Sequence, residues 1–235
     1  MLSRSKYIKQ LEDLETYLQR LTDKTVSDIR AVGMSLSGDQ GAAEGVLQGT
    51  KAGRRLRSAI EDGCLDVMLL QQPLVADDLR FVTGVFRIVS DLAHIEEMTR
   101  DIAFLSQQIP HGVVKKLEEP LVQAVDEVSS MTELSVGAFV QSDVEMAHRV
   151  FAADDKVDEL YDQAEHIIVG LIRKEQAKAR HLPELLMVAK YFERMGDDTQ
   201  RIAGWAVFRA TGKHEVYSKE IGESTLPQPS DSSKE

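Results

Sequence analysis

The chain has 235 residues, of which 43% are hydrophobic and 29% are charged, and its formal net charge at pH 7 is -11. A carboxylate excess of this size opposes nonspecific binding to nucleic acid, because the phosphate backbone attracts dense Lys and Arg. With only six prolines and five tyrosines, the composition indicates a helical chain with almost no strand. The single cysteine, Cys64, excludes an intrachain disulfide and a Cys-rich zinc site, and we expect it to be buried.

The N-terminal segment carries charged residues within its first ten positions and lacks the apolar core of a signal peptide. No stretch reaches the roughly 18 apolar residues that a membrane span needs. We therefore expect a cytoplasmic protein that does not insert into the membrane.

Three long helices are predicted in the first half by apolar residues that recur at spacings of three and four. We expect them over residues 6–34, 41–72 and 77–106. Pro73 should end the second helix, because proline disfavours helix at the preceding residue. Pro110 and Gly112 mark the junction between the two halves.

Three further helices are predicted after this junction, over about 113–141, 142–174 and 183–211. Ser142 and Glu145 have the spacing of a capping box, which would begin the fifth helix. Pro183 is expected in the first turn of the sixth helix, where its missing N–H is not needed.

The third and sixth predicted helices carry the same apolar pattern at an offset of 100 residues. The matching positions are Val85, Ile88, Leu92, Ile95, Thr99 and Ile102, then Leu185, Val188, Phe192, Met195, Thr199 and Ile202. One narrow apolar stripe on each helix fits the seam of a bundle. We therefore predict an elongated all-α fold of two repeated three-helix bundles, residues 1–109 and 110–214, followed by a disordered tail, residues 215–235.

Two pairs of carboxylates follow in the second half, Asp154 with Asp158 in the fifth helix and Glu193 with Asp197 in the sixth. Residues four apart share a helix face, and like charges at this spacing cost about 0.2 to 0.5 kcal/mol. Antiparallel pairing of these helices would bring Asp158 within about one turn of Asp197, with all four acids at the surface beside the apolar stripe.

An all-oxygen cluster suits Mg, Ca, Mn or iron and is a poor choice for zinc without His or Cys. The plainer interpretation is that these acids solvate exposed helix faces.

Longer strings around these acids resemble a known family. The string KYFERMGDDTQRIAGWAVFRATGK in the sixth helix resembles the signature of the PhoU family, and DDKVDELY in the fifth helix resembles its upstream acidic motif. In the first half, QQPLVADDLRFV is similar to the corresponding segment, so that the resemblance spans about residues 5–212. It implies two similar three-helix bundles and a non-enzymatic regulator that restrains phosphate uptake and phosphate-starvation signalling.

The resemblance also implies partners and a metal. The expected partners are a phosphate ABC transporter and a membrane sensor histidine kinase, and a homodimer stays open. Some members of the family carry surface iron or zinc clusters on such acid motifs. By resemblance, Asp154, Asp158, Glu193 and Asp197 would bind iron, zinc or another divalent cation.

A second interpretation of the carboxylates is a metal-storage protein or a di-metal enzyme with a carboxylate-bridged centre in a helical bundle. Glu145 with His148 makes an E-x-x-H, and Asp91 with His94 a D-x-x-H, both similar to motifs of di-iron bundles. The predicted capping role of Glu145 weighs against this interpretation.

The first half departs from the acidic pattern. Thr50 and Arg54 stand where the acids of the upstream motif would be, Ala93 replaces the Glu of the third helix, and only Glu97 keeps a carboxylate. An arginine repels a cation, so no metal is expected in this half. We expect Arg54 to pair instead with Glu96 or Glu97, in a surface ion pair worth at most about 1 kcal/mol.

Overall fold

The structure is a computed structural model, which describes residues 4–70, 74–174 and 180–214. Within these ranges the chain forms seven α-helices and no strand, so the predicted all-α class is confirmed. The helices are α1 (Arg4–Leu36), α2 (Gln40–Leu70), α3 (Ala76–Ser106), α4 (His111–Val114), α5 (Glu118–Gln141), α6 (Val144–Lys174) and α7 (Leu182–Thr211).

The long helices form two bundles of three. Helices α1, α2 and α3 pack against one another, and so do α5, α6 and α7, while the short α4 lies in the connection. The apolar stripes of α3 and α7 form the two seams, and each of their twelve predicted positions is at most 1% exposed. The duplicated three-helix architecture is therefore confirmed.

The two bundles lie side by side, with α3 against α7 and α1 against α5. The guanidinium of Arg87 stacks on Trp205 near one end of the α3/α7 contact. The Tyr191 hydroxyl lies 3.5 Å from Asp101 near the other end, so α3 and α7 run antiparallel. The halves are thus joined along whole helices as well as through the predicted connection.

The predicted fourth helix begins too early. Residues 111–114 form the separate helix α4, and α5 begins only at Glu118. Pro120 lies in the first turn of α5. Because proline has no N–H to donate to the carbonyl of residue 116, and its ring clashes there, one continuous helix cannot pass through this segment.

The capping box predicted at Ser142 is wrong. Ser142 ends α5 in the left-handed conformation, with a φ of 54°. The cap of α6 is Asp143, whose carboxylate accepts a hydrogen bond from the Met146 N–H at 2.9 Å. The connection is so short that Ser142 is used by the preceding helix, which leaves the next residue to begin α6.

Two further predictions at single residues are confirmed. Pro183 lies in the first turn of α7 and Cys64 is fully buried, as expected. Pro73 and the predicted tail, residues 215–235, lie outside the described ranges. None of the described helices combines the length and the apolar character needed to cross a bilayer.

Candidate functional site

Helices α6 and α7 approach closely at Gly196. A Cβ atom on Gly196 would lie 2.6 Å from Asp154 Oδ1 and 3.5 Å from Val157 Cγ1. The glycine therefore leaves space for the carboxylate of Asp154, which is only 3% exposed. The prediction that all four acids lie at the surface is wrong for Asp154, because Gly196 opens a space inside the helix contact.

Asp158 and Asp197 influence each other across the same contact. Asp158 is half-buried on α6, and Asp197 is exposed on α7. Partial burial raises the pKa of Asp197; Arg201 opposes this shift, and the charge of Asp158 adds to it. The two carboxylates thus lie in one electrostatic environment, with α6 and α7 packed against each other as the antiparallel pairing predicts.

A lysine accompanies the third acid, Glu193. Lys190 Nζ lies 2.6 Å from Glu193 Oε1 and 4.9 Å from the centre of the Tyr161 ring. Burial lowers the pKa of Lys190, but the hydrogen bond and charge of Glu193, with Tyr161 and Asp197, outweigh it and leave this pKa raised. The other oxygen of Glu193, Oε2, is buried and accepts no hydrogen bond from the described residues.

These observations test whether the acids fit a cation. The oxygens come from two packed helices, and the carboxylate of Asp154 and Oε2 of Glu193 are buried, which suits a hard ion in its chemistry. Within the described ranges, however, no three His, Cys, Asp or Glu side chains are grouped closely enough to hold a metal. An ion would have to displace the Lys190 ammonium from Glu193 and draw the carboxylates together.

The first repeat has a similar contact between α2 and α3, with the roles of its two helices exchanged. Here the glycine is Gly53 on α2, and the carboxylate that fills the space beside it is Glu96 on α3. In the second repeat the glycine is on α7 and the carboxylate on α6. Each repeat therefore packs one acid against a glycine of the neighbouring helix.

Cationic side chains of the protein itself surround Glu96, the carboxylate that packs against a glycine in the first repeat. Lys24 Nζ lies 3.4 Å from Glu96 Oε1, and Arg57 Nε lies 3.5 Å from Glu96 Oε2. Burial raises the pKa of Glu96, while Lys24 and Arg57 oppose the shift. The predicted partner, Arg54, lines the same cleft with Glu97, but the ion pairs of Glu96 are with Lys24 and Arg57.

Sequence reasoning missed three of these cations, for different reasons. Lys190 lies three residues before Glu193 on the same helix, so the spacing was a usable signal. Arg57 lies three residues after Arg54 and could have been weighed in the same way. Lys24 comes from α1, and no local pattern shows that this helix reaches Glu96.

The Asp91–His94 motif is used in packing between the repeats. His94 Nδ1 lies 2.7 Å from Asp198 Oδ2 and donates its hydrogen to this fully buried carboxylate. Arg201 pairs with Asp198 and also, at 3.2 Å, with Asp91. Asp91 and His94 thus bind separate partners on α7 and do not form a joint pair of metal ligands.

The fold and its acidic helix contacts define an all-α protein built from a duplicated three-helix unit. The PhoU domain family matches this unit twice, over residues 18–105 and 121–206. The chain therefore belongs to the PhoU family.

Relatives from distant bacteria align over nearly the whole chain. A protein of Clostridium acetobutylicum is 28% identical over 217 residues, which cover 90% of this chain and 97% of the relative. A protein of Aquifex aeolicus is 28% identical over 235 residues, which cover 93% and 100% of the two chains. Both relatives are named phosphate-specific transport system accessory protein PhoU homolog.

Solved structures share the fold. The crystal structure of PhoU from Pseudomonas aeruginosa has a TM-score of 0.80 at 19% identity and covers 88% of this chain and 100% of its own. That of the phosphate transport system regulatory protein PhoU from Streptococcus pneumoniae has a TM-score of 0.80 at 22% identity, covering 89% and 99%.

Proposed function

We propose that this chain is a cytoplasmic, non-enzymatic regulator that restrains phosphate transport and phosphate-starvation signalling. The observation that carries the proposal is the paired PhoU architecture, which matches residues 18–105 and 121–206. Relatives aligned over almost their full length are named accessory proteins of phosphate-specific transport.

The proposed mechanism is recognition through helix faces. Two bundles of helices about 45 Å long, packed side by side, present broad surfaces of the kind that bind helical or extended segments of other proteins. One partner is the phosphate ABC transporter, contacted at its cytoplasmic side, and the other is a membrane sensor histidine kinase. A homodimer would use the same kind of surface.

Affinity capture tests this proposal. The tagged full-length chain, expressed in cells grown in abundant phosphate, is expected to recover the transporter ATPase and the sensor kinase. Cells that lack the transporter genes serve as the control and should yield no transporter ATPase. Recovery of neither partner from wild-type cells would contradict the proposal.

We also propose a cation site formed by Asp154, Asp158, Glu193 and Asp197, which takes iron, zinc or another divalent cation. Two features support it: the convergence of α6 and α7, and the buried Oε2 of Glu193. A bound ion would relieve the like-charge repulsion between these acids. It would tie the two helices together and adjust the docking surface without catalysing a reaction.

Elemental analysis tests the cation site. The double variant Glu193→Ala with Asp197→Ala is expected to lose most of the bound metal and to keep its helical circular dichroism. Glu159→Ala with Glu165→Ala removes two exposed acids from α6 and should keep the metal. Equal metal in both double variants would remove the site assignment.

A metal-storage protein or di-metal enzyme is the second candidate function, and the buried oxygen of Glu193 is the observation that favours it. Such a protein would copurify with near-stoichiometric ion and would lose its function when Glu193 is replaced. A regulator that depends on protein contacts would still recover its partners after that replacement.

A further inference from the structure

A groove between α1 and α2 in the first repeat is open to solvent and has a defined floor. Its volume is about 180 Å³, and Asp13, Leu14 and Tyr17 line it from α1, with Gly63 and Asp66 from α2. A Cβ on Gly63 would lie 2.9 Å from Leu14 Cδ2. Because glycine has no side chain, the groove stays open down to Leu14. The groove therefore has room for a side chain from outside.

The groove is negatively charged. Asp13 lines it from α1 and Asp66 from α2, and no Lys or Arg lines it within the described ranges. Neither carboxylate forms an ion pair with a described residue. A ligand that enters between them is favoured if it carries a positive charge.

Exposed leucines continue the groove along α2. Leu69 and Leu70 are 72% and 53% exposed. Leu69 and Leu70 lie one helical turn beyond Asp66, so an apolar turn follows the acidic one along the helix. A group of large apolar side chains that stays in solvent next to uncompensated charge is typical of a protein interaction site.

The second repeat does not have this surface. The buried residues Val46, Ile60 and Cys64 of α2 correspond to Val150, Ala164 and Ile168 of α6, an offset of 104. At this offset the side chain of Ile167 replaces Gly63, and Gly170, Arg173 and Lys174 replace Asp66, Leu69 and Leu70. The acidic and apolar groove is thus specific to the first repeat, and a shared packing requirement does not account for it.

We propose that this groove docks a basic amphipathic helix of a partner protein. A Lys or Arg of that helix lies between Asp13 and Asp66, and a Leu, Ile or Phe one turn away covers Leu69 and Leu70. The inference rests on the proposed function, under which the docked helix is a cytoplasmic segment of the phosphate transporter. Charge complementarity selects this occupant, because two carboxylates and, among the residues that the structure describes, no Lys or Arg line the groove.

A synthetic helix tests the groove directly. The probe is a fluorescent peptide of about four turns, roughly 14 residues, with Lys and Leu on one face at a spacing of four. Its binding to the full chain is measured by fluorescence anisotropy, beside a peptide of the same composition in scrambled order. The ordered peptide should bind more tightly. Asp13→Asn with Asp66→Asn, or Leu69→Ser with Leu70→Ser, should weaken its binding about tenfold or more.

Matched variants in the second repeat control for loss of charge and of apolar surface. Glu119→Gln with Asp162→Asn removes two exposed carboxylates, and Val169→Ser with Ile172→Ser removes two exposed apolar side chains. Both should bind the peptide as the wild type does. Equal binding by groove and control variants would overturn the proposal, and so would equal binding of the ordered and scrambled peptides.

Capture from cells separates this inference from the proposed function. The groove variants should recover less transporter ATPase than the second-repeat controls. If all variants recover as much as the wild type, the groove assignment fails and the regulatory function stands. If the wild type recovers neither the transporter ATPase nor the sensor kinase, the proposed function fails, while the peptide measurement still decides the chemistry of the groove. Sedimentation tests for a dimer. If the wild type is a dimer and the groove variants are monomers, the groove binds a second copy of this chain, and the proposed docking of a partner helix is overturned.

Discussion

Glu96 and Asp197 are both carboxylates, and burial is the largest cause of the raised pKa of each, yet the charges around them differ. Lys24 and Arg57 oppose the shift of Glu96, and the charge remaining on that acid is neutralised within the protein. Asp197 has Asp158 as a like-charged neighbour, which adds to its shift. The second repeat therefore holds the charge that an added cation would relieve.

Asp197→Asn is expected to stabilise the metal-free protein at neutral pH. The folded pKa of Asp197 is raised, so ionisation of this carboxyl opposes folding, and its contribution to stability is lost as the pH rises through the folded pKa. Removing one like charge beside Glu193 should add about 0.2 to 0.5 kcal/mol to the free energy of unfolding. Urea unfolding with a chelator, over a series of pH values, should show this gain shrinking as the pH falls through the raised pKa.

The control for this measurement is Asp162→Asn on the exposed side of α6, which should change the free energy of unfolding little at any pH. A wild-type protein that is more stable than Asp197→Asn at neutral pH without metal would contradict the assignment of repulsion to this residue.

At the scale of helices, Arg209 connects the end of α7 to the end of α5. Its Nη1 donates hydrogen bonds to the carbonyls of Phe139 at 2.7 Å and Val140 at 2.9 Å. The guanidinium also stacks on Phe81, at 4.7 Å from the ring centre. These carbonyls belong to the last turn of α5, beyond which the helix has no N–H four residues later. The Ser142 N–H also reaches the Phe139 carbonyl, at 3.3 Å.

Arg209→Met should lower the free energy of unfolding by about 1.5 to 3 kcal/mol, because it keeps most of the apolar stem and removes the charged donor. Arg194→Met replaces an exposed arginine of the same helix and should have little effect. Equal unfolding midpoints in urea for the two variants would show that Arg209 does not hold α5.

The long helices could be predicted from sequence because their stripes follow one period over many turns. Val85 through Ile102 and Leu185 through Ile202 need only the helical spacing to reveal a seam. The helix boundaries near Pro120 and Ser142 each depend on a single residue. Pro120 prevents one continuous helix, and Ser142 ends α5 and so cannot cap α6. A pattern averaged over several turns does not show these boundaries.

For the acid motif, the identities of the four acids and the helix faces that they share could be predicted from the sequence. The burial could not be predicted, because the space that admits Asp154 depends on Gly196 of another helix. The pairing of Lys190 with Glu193 could have been read from their spacing. The link of Lys24 to Glu96 needs the packed bundle, since these residues are on helices that adjoin only in three dimensions.

At the scale of the whole molecule, the two repeats, joined along α3/α7 and α1/α5, also meet where Gly84 of α3 lies against Phe139 of α5. A Cβ on Gly84 would lie 2.6 Å from Phe139 Cζ, within a fully buried ring contact. The glycine lets the first bundle approach the second. The side chain that a Cβ would meet, Phe139, is a rigid and fully buried ring, so little relaxation is available.

Gly84→Ala should therefore lower the free energy of unfolding by about 1 to 3 kcal/mol through overpacking. Gly45 is a helical glycine with open space around it, and Gly45→Ala should raise stability by about 0.5 to 1 kcal/mol. Thermal unfolding of the two variants gives shifts of opposite sign if the contact between the bundles is as described. A stabilised Gly84→Ala protein would contradict this packing.

The divergence of the repeats gives each bundle a different surface on one shared scaffold. The first carries built-in cations around Glu96 and an acidic, apolar groove, and the second carries the carboxylate cluster on α6 and α7. Under the proposed function, such a division lets the chain contact more than one partner. It does not require any chemical reaction at either site.

The rate of phosphate uptake tests the regulatory role most directly. Uptake of radiolabelled phosphate is measured in cells grown with abundant phosphate, with the chain present, deleted and restored. Deletion should raise the uptake rate, and restoration should return it to the starting value. Identical rates in all three strains would contradict the regulatory function.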